Sequence, residues 1–317
     1  MFSRQGGTGL GRMAHGTALY LSSYSVLIVM KECLFYTRLG DGSVRCDLCA
    51  HRCTLASGQR GLCKSRRNAG GVMVSDVYGH PCALAVDPVE KKPLAMFHPG
   101  TRCLSMACSG CNLRCLNCQN HDISQAAPCE VHSSDVSPEA MVGMALERGL
   151  PSIAYTYTEP LTYIEYVLEI ARLAHRHGLY NILVSAGYVN AQPLNELAPL
   201  IDAANIDLKA FDDMIYLKQC GAHLQPVLDT LLTLKAAGTH LEITHLLIPQ
   251  VNDDMTMFNT MCRWLVDNGL AGCPLHLTRF FPRYRMLDSI ATPRSTLLEA
   301  RDIALRAGIE HVFLGNI

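Results

Sequence analysis

Residues 108–120 read Cys-Ser-Gly-Cys-Asn-Leu-Arg-Cys-Leu-Asn-Cys-Gln-Asn and directly follow an apolar run at residues 102–107. In this stretch Cys111, Cys115 and Cys118 have the spacing C-x3-C-x2-C. Three thiolates in one short loop form a soft ligand set, which selects iron–sulfur clusters, zinc or cuprous ions. The sequence therefore predicts a metal centre in a loop that follows a strand.

Two kinds of metal centre fit such a loop. A structural zinc ion usually takes four protein ligands, and Cys103 or Cys108 could supply the fourth. A 4Fe-4S cluster held by three cysteines keeps one iron open, which the amino and carboxylate groups of S-adenosylmethionine can chelate. An electron passed to the sulfonium then breaks a carbon–sulfur bond and gives a 5′-deoxyadenosyl radical. Because the loop follows a strand of a β/α chain, we favour the cluster.

From residue 102 onward, short apolar runs alternate with longer amphipathic segments. The pair Ser137-Pro138 predicts one helix start, and Gly178 predicts a helix end. Alternation at this spacing predicts a parallel sheet with helical crossovers, either a barrel or a doubly wound fold. In both folds chemistry gathers at the carboxyl ends of the strands. The predicted strands lie near 102–107, 152–157, 180–185, 204–208, 240–247, 275–279 and 311–314. The predicted helices lie near 137–148, 161–177, 193–201, 226–237, 253–269 and 293–307.

Composition narrows the class of protein. A chain of 317 residues can form one large α/β domain or a barrel with a small extra module. Its 27 Lys and Arg balance 28 Asp and Glu, so the net charge indicates neither a nucleic-acid partner nor an anionic membrane. The 15 cysteines are an odd number, which argues against a disulfide framework and favours metal-binding thiolates in a reducing cytoplasm.

The first 29 residues carry none of the recognisable chemistry. The longest apolar stretch there, Thr17 to Met30, is shorter than the roughly 18 to 20 residues of a membrane-spanning helix. With Arg4 and Arg12 before it, this stretch loosely resembles a signal peptide, but no small-residue cleavage site follows. We expect residues 1–29 to be a non-core extension and Met30 to be the true start.

A second group of cysteines lies near the start of the remaining chain. Cys46, Cys49, Cys53 and Cys63 supply four thiolates, enough for a tetrahedral zinc site or a second iron–sulfur cluster. Their spacing does not choose between the two metals, and chance clustering in a cysteine-rich chain is a third reading. Since residues 30–100 are expected to form a module without a core of its own, we favour a structural zinc ion over a second cluster.

With these cysteine motifs the chain resembles the radical S-adenosylmethionine superfamily. Within it the chain is similar to the AmmeMemoRadiSam-system enzymes, which are relatives of the pyruvate formate-lyase activating enzymes. Two departures stand out: Asn117 replaces a usual aromatic residue, and Phe281 stands where the family often has histidine. The resemblance runs from about residue 30 to residue 317 and rests on Cys46-Asp-Leu-Cys49, Val86-Asp-Pro-Val-Glu-Lys-Lys-Pro-Leu94, Gly110-Cys-Asn-Leu-Arg-Cys115, Tyr155-Thr-Tyr-Thr-Glu-Pro160, Asp207-Leu-Lys-Ala-Phe211 and Leu277-Thr-Arg-Phe-Phe-Pro282.

The resemblance implies a partial (β/α)6 barrel over residues 101–317, preceded by the cysteine-rich module, with the cluster loop after the first barrel strand. It also implies a reductant such as flavodoxin or ferredoxin. The implied activity is reductive cleavage of S-adenosylmethionine followed by hydrogen abstraction from a protein glycine, another protein residue or a small molecule. The alternative is a non-catalytic zinc or iron–sulfur scaffold or electron carrier, which would not bind S-adenosylmethionine.

Four further residues are predicted cofactor contacts. Glu159 ends the second barrel strand, where similar enzymes receive the methionyl amino group, although Glu159 before Pro160 also fits an ordinary helix start. Ser185 follows the third strand and offers a hydrogen bond, or simply belongs to a turn. Asp207 and Lys209 alternate onto one side of the fourth strand, where they contact cofactor or form an internal ion pair.

Deletion of residues 1–29 tests their assignment as a non-core extension. We expect the shortened chain to keep the iron content and the S-adenosylmethionine cleavage rate of the full chain, because all predicted ligands lie downstream. Iron analysis and chromatography of 5′-deoxyadenosine would measure both. Loss of folded, iron-bearing protein on deletion would show that the segment is structural.

Overall fold

The computed structural model describes residues 30–317, so the prediction made for residues 1–29 lies outside the described residues. In this part of the chain the main sheet has eight strands, in the order β14-β13-β12-β11-β10-β9-β8-β7. The strands are β1 (Lys31–Glu32), β2 (Tyr36–Arg38), β3 (Val44–Cys46), β4 (Thr54–Leu55), β5 (Arg66–Asn68), β6 (Met73–Ser75), β7 (Ala83–Pro88), β8 (Arg102–Ala107), β9 (Ser152–Tyr155), β10 (Tyr180–Ser185), β11 (Ala203–Asp207), β12 (His240–Leu247), β13 (Leu275–Arg279) and β14 (Val312–Gly315).

Seven of the eight strands, β8 to β14, run parallel, and helices connect most of them. The predicted α/β class with a parallel sheet is therefore confirmed. Within residues 30–317, no helix is both long enough and apolar enough to cross a bilayer. The helices are α1 (His121–Ser124), α2 (Pro138–Glu147), α3 (Ile164–Arg176), α4 (Ala191–Leu197), α5 (Asp213–Cys220), α6 (Gln225–Ala236), α7 (Met255–Asp267) and α8 (Arg294–Ala307), with short 3-10 helices at Val89–Lys91, Pro128–Glu130, Pro160–Tyr163 and Ala198–Leu200.

Helix α5 is an element that the sequence pattern did not predict. It has only eight residues, and it buries Tyr216, Gln219 and Cys220 rather than a long apolar stripe. Local chemistry fixes both of its ends. The Asp212 carboxylate accepts a hydrogen bond from the backbone N–H of Ile215 at 2.8 Å, and Gly221 ends the helix at a φ of 67°.

The N-terminal module consists of two small antiparallel sheets, ordered β1-β6-β5 and β2-β3-β4. The module has no core of its own, as the sequence led us to expect. Val44, Leu48, Leu55 and Met73 are buried and belong to the same hydrophobic cluster as the barrel helices. The short sheets pack against the barrel, so that the module shares its core instead of building a separate one.

The domain boundary at residue 100 stays a prediction, and the main sheet includes one strand from before it. Strand β7 pairs antiparallel with β8 and so belongs to the main sheet. The connection between these two strands reaches the end of the barrel at which the parallel strands begin. There the backbone N–H groups of Ala95 and Met96 each donate to the Glu242 carboxylate at 2.8 Å, and Asn205 donates to the Pro93 carbonyl. Periodicity could not show this, because these contacts join residues far apart in the chain.

One buried ion pair joins the module to the barrel. Arg66 on β5 lies 3.1 Å from the Glu165 carboxylate on α3, and both side chains are 1% exposed. Glu165 also accepts a hydrogen bond from the backbone N–H of Leu34 at 2.8 Å, while Arg66 donates to the Leu34 carbonyl. The two charges are buried together, which makes each depend on the other.

Substitution of Glu165 tests this attachment. Glu165→Gln leaves the Arg66 charge buried without a counter-charge, so we expect the free energy of unfolding to fall by about 3–5 kcal/mol. Glu169, one turn along α3, pairs with Lys31 at a site that is more than a third exposed. Glu169→Gln is therefore the matched control, with an expected loss below about 1 kcal/mol. Urea unfolding of the two variants measures both values, and equal losses would contradict the assignment.

Candidate cluster and cofactor site

The predicted cluster loop begins where β8 ends, at the carboxyl end of the parallel strands. Cys111, Cys115 and Cys118 are partly exposed there. Cys103 lies at the opposite end of β8, with its Sγ 3.6 Å from the Asp87 carbonyl oxygen, so it is not a fourth ligand. Among residues 30–317, no three Cys, His, Asp or Glu side chains surround one point as the ligands of a single metal ion do.

The end of α5 holds one side of the cluster loop. The backbone N–H of Arg114 donates to the Cys220 carbonyl at 2.7 Å, and that of Leu116 donates to the Gln219 carbonyl at 3.0 Å. The Gln219 side chain donates to the Asn117 side-chain oxygen at 3.0 Å. The last carbonyls of a helix lack partners within the helix, and here the loop satisfies two of them.

The N-terminal module holds the other side of the loop. The backbone N–H of Cys111 donates to the Cys63 carbonyl at 3.2 Å, and a ring nitrogen of His51 lies 2.8 Å from the Asn112 carbonyl oxygen. Gly110 has a φ of 96°, and a Cβ at this position would lie 2.3 Å from the Cys63 carbonyl oxygen. Only glycine combines this conformation with so close a backbone contact.

The surroundings of the three sulfurs suit a thiolate-bound cluster. The backbone N–H of Leu113 donates to the Cys111 Sγ at 3.3 Å, and the Ser124 hydroxyl lies 3.1 Å from the Cys118 Sγ. A hydrogen bond with the Cys220 thiol lowers the pKa of Cys115, and the Lys209 ammonium lowers it further. Burial raises the pKa of Cys111 and of Cys118, and the Leu113 N–H and the Ser124 hydroxyl oppose these shifts. Donors and a positive charge of this kind favour the thiolates that metal binding requires, so these residues fit an iron–sulfur cluster.

Glu159 is buried and lies at the start of the short 3-10 helix, as one of its two predicted roles requires. Its carboxylate accepts hydrogen bonds from the Ser185 hydroxyl at 2.6 Å and from the backbone N–H groups of Ala186 at 2.8 Å and Leu161 at 3.2 Å. Burial raises the pKa of Glu159, although these donors oppose the shift. The residue therefore caps the 3-10 helix that begins at Pro160, and one of its roughly four lone-pair sites remains for a ligand.

Asp207 and Lys209 form the ion pair expected from their alternation. The Lys209 Nζ lies 2.7 Å from the Asp207 carboxylate, and both side chains are partly exposed. The Lys209 charge opposes the rise in the pKa of Glu159 and contributes to the lowered pKa of Cys115, so Lys209 lies near both residues. Glu159, Ser185, Asp207 and Lys209 thus come together beside the cluster loop, although they lie on three different strand ends.

Three other polar residues of the barrel make contacts away from these four. Asn190 donates from its side chain to the Asp47 carbonyl at 2.7 Å, which helps to hold the N-terminal module. His276 lies 2.6 Å from the Glu242 carboxylate at the closed end of the barrel. Arg279 donates to the Thr292 carbonyl at 2.6 Å and so fixes a loop.

A polar cluster around Asp87 was missed by reasoning from the sequence. The Lys92 Nζ donates to Asp87 at 2.8 Å and lies 4.4 Å from the centre of the Tyr157 ring, whose hydroxyl also donates to Asp87. Burial raises the pKa of Asp87, but hydrogen bonds from Lys92, Tyr157 and Ser105 outweigh it and hold the pKa well below its usual range. Tyr157 has a φ of 64°, which is uncommon for a bulky residue. The only signal for these residues in the sequence was their place within the motifs on which the family resemblance rests.

Comparison with known proteins agrees with this geometry. A model of the Radical SAM superfamily matches residues 107–259, which span the cluster loop and the four residues beside it. The chain belongs to the radical SAM superfamily. This radical SAM chain is 40% identical over 288 residues to an uncharacterized protein of Methanocaldococcus jannaschii, covering 91% of this chain and 86% of that protein.

Two further similarities are more distant. The (2S)-3-sulfopropanediol dehydratase activating enzyme of Klebsiella oxytoca is 26% identical over 126 residues, covering 40% of this chain and 39% of that enzyme. The structure of Streptococcus suis SuiB bound to S-adenosylmethionine has a TM-score of 0.52 and 10% identity, covering 68% of this chain and 52% of that chain. This last likeness shows a shared fold.

Gly110 provides a test of how the cluster loop is held. Gly110→Ala adds a Cβ in contact with the Cys63 carbonyl at a backbone conformation unfavourable to alanine, so we expect the free energy of unfolding to fall by about 3 kcal/mol or more. We also expect less iron per chain, because the loop must move. Gly143, within α2, has no atom within 4 Å of the position of an added Cβ. Gly143→Ala is the matched control and should stabilise by up to about 1 kcal/mol without loss of iron.

Proposed function

We propose that this chain cleaves S-adenosylmethionine reductively and uses the resulting radical to abstract a hydrogen atom from a substrate. Cys111, Cys115 and Cys118 would hold the 4Fe-4S cluster. When bound, this cluster with S-adenosylmethionine at its open iron supplies the electron that breaks the carbon–sulfur bond. The observation that carries the proposal is the convergence of the cluster loop with Glu159 and Lys209 at the carboxyl ends of the barrel strands.

The residues beside the loop would bind and orient the cofactor. Glu159 has one lone-pair site left for the methionyl ammonium, and the Ser185 hydroxyl fixes the orientation of its carboxylate. Lys209 can attract the methionyl carboxylate, while its pairing with Asp207 sets the position of the ammonium group. Asp207 is the more exposed partner, and its free oxygen can accept a hydrogen bond from ribose.

The barrel interior would receive the substrate. The loop between β7 and β8 covers the far end of the barrel, so access is expected from the cluster side. Asp87, Lys92 and Tyr157 place fixed polar groups inside, where burial strengthens their interactions.

Two chemical classes of substrate fit the proposal. The relative named as a dehydratase activating enzyme supports a protein as the target, with a backbone glycine as one candidate. A small molecule is the other candidate. Assignment to the AmmeMemoRadiSam group rests on the sequence motifs. We also propose that the protein is cytoplasmic and that a flavodoxin or a ferredoxin donates its electrons.

Anaerobic reconstitution tests the proposal directly. The chain would be loaded with iron and sulfide and then given S-adenosylmethionine and dithionite. We expect 5′-deoxyadenosine from the unmodified chain and none above background from Cys111→Ala, Cys115→Ala or Cys118→Ala, because two cysteines cannot hold the cluster with one iron open. Cys129 is exposed and lies outside the predicted ligand sets, so Cys129→Ala is the matched control. The non-catalytic alternative would instead give no 5′-deoxyadenosine from any of these proteins.

A further inference from the structure

The loop between β13 and α8, residues 280–293, lies against the cluster loop. The backbone N–H of Arg285 donates to the carbonyl of Leu116 at 3.0 Å, and Leu116 stands between two of the predicted cluster ligands. The Tyr284 ring stacks on the His121 ring, with 4.4 Å between the ring centres. The β13–α8 loop is thus one hydrogen bond from the segment that carries the predicted ligands.

Helix α5 belongs to the same region. The Gln219 side chain donates to the Met286 sulfur of the β13–α8 loop at 3.1 Å. Two carbonyl groups at the end of α5 also accept hydrogen bonds from the cluster loop. Helix α5, the β13–α8 loop and the cluster loop therefore contact one another.

The N-terminal module covers the opposite side of the cluster loop. The cavity there has a volume of about 10 Å³, which is room for roughly one water-sized sphere. Among the residues that line it are four cysteines of the module, Cys46, Cys49, Cys53 and Cys63. A large partner therefore reaches the cluster loop from the side of α5 and the β13–α8 loop.

Large apolar side chains are concentrated on this accessible side. Among residues 30–317, the five most exposed of them, from 69% down to 51%, are Leu287, Ile290, Met214, Ile317 and Phe281. Four of these five lie on α5 or the β13–α8 loop, which together are a small part of the chain. Exposed apolar side chains grouped in this way mark interaction sites.

Exposed positive charges accompany these apolar side chains. Four cations on the three segments have no carboxylate within ion-pair distance among the described residues: Arg114, Lys218, Arg283 and Arg285. Asp212 caps α5, and Asp213 lies 2.9 Å from a ring nitrogen of His223. Asp288 is the one other acidic residue of these segments. Unpaired cations around an apolar patch favour a partner with negative charge.

We propose that this surface, here called the cluster-side surface, docks an acidic one-electron carrier protein of the flavodoxin or ferredoxin class. A small apolar patch among charges is typical of the weak, transient complexes that electron carriers form. This docking role rests on the proposed function, because cleavage of S-adenosylmethionine consumes the electron that the carrier delivers. The surface consists of Met214, Leu217, Phe281, Leu287 and Ile290, together with Arg114, Lys218, Arg283 and Arg285.

The position of the surface favours a carrier over a substrate polypeptide. A substrate must bring its reacting atom into the barrel, beside the residues of the proposed cofactor site. A carrier needs only to come close to the cluster, and the β13–α8 loop meets the cluster loop at the backbone of Leu116. The carrier would lose one electron and the cluster would gain it, so that no proton or other reactant is needed.

Cleavage of S-adenosylmethionine with two different reductants tests the surface. Arg283→Glu combined with Leu287→Ser removes one cation and one apolar side chain from it. We expect the rate driven by reduced flavodoxin to fall at least about five-fold in this variant, with a higher KM for flavodoxin. The rate driven by dithionite should stay unchanged, because a small reductant needs no docking surface.

Helix α8 offers a matched control. Leu305 and Arg306 are exposed and lie at the end of α8 that precedes β14, at the opposite end of the sheet from the cluster loop. Arg306→Glu combined with Leu305→Ser makes the same chemical changes there and should leave both rates unchanged. Equal flavodoxin-driven rates in the two variants would overturn the proposed docking site.

Binding measured without turnover separates the docking role from the proposed function. Calorimetry would titrate the full chain, with its cluster reconstituted, with oxidised flavodoxin and separately with oxidised ferredoxin. We expect at least one carrier to bind, with an affinity that weakens as salt screens the charges. Arg283→Glu with Leu287→Ser should weaken this binding at least about five-fold relative to the control variant. This result would stand even if the chain formed no 5′-deoxyadenosine, whereas binding of neither carrier would overturn the docking role.

Two other occupants of the surface predict different results. A second copy of this chain would give a dimer in sedimentation that Arg283→Glu with Leu287→Ser dissociates, while carrier binding stays the same. A substrate polypeptide would leave carrier binding and the flavodoxin-driven rate the same in both variants. Either result would overturn the docking role. If the double variant lost iron, calorimetry of Arg283→Glu against Arg306→Glu would decide the question.

Discussion

The backbone contact between the cluster loop and the N-terminal module is the constraint on which the site depends. Gly110 lies so close to the Cys63 carbonyl that no side chain fits between them, and the next N–H donates to that same carbonyl. Two carbonyl groups at the end of α5 accept hydrogen bonds from two further N–H groups of the loop. The three cysteines are therefore positioned by backbone groups from two distant parts of the chain rather than by the loop itself.

The charged side chains of this region have charged or hydrogen-bonding partners, which the buried ones require because burial of an unpaired charge is costly. Arg66 and Glu165 join the module to the barrel, and Lys209 and Asp207 meet beside the cluster loop. Glu159 is stabilised by a hydroxyl and two backbone N–H groups instead of a full counter-charge. These arrangements fix the directions of the side chains before a ligand arrives, which is what an enzyme that must orient a reactive cofactor needs.

The two ends of the barrel serve different purposes. At one end Glu242 binds the inserted loop through two backbone N–H groups and lies beside two histidines, which closes that end. At the other end lie the cluster loop and the residues of the proposed cofactor site. The cluster of Asp87, Lys92 and Tyr157 lies between them and gives the interior a polar character. This division agrees with the general concentration of chemistry at the carboxyl ends of parallel strands.

The sequence by itself determined the α/β class, most strands and helices after residue 102, and the three-cysteine loop, because periodicity and short motifs are local properties. It also indicated Glu159, Ser185, Asp207 and Lys209, since each lies at the end of a strand or shortly after it. Only the tertiary structure decided that β7 joins the main sheet, that α5 holds the loop, and that the module shares the barrel core. Those features depend on contacts between residues far apart in the chain, such as Cys63 with Cys111, and no local pattern records them.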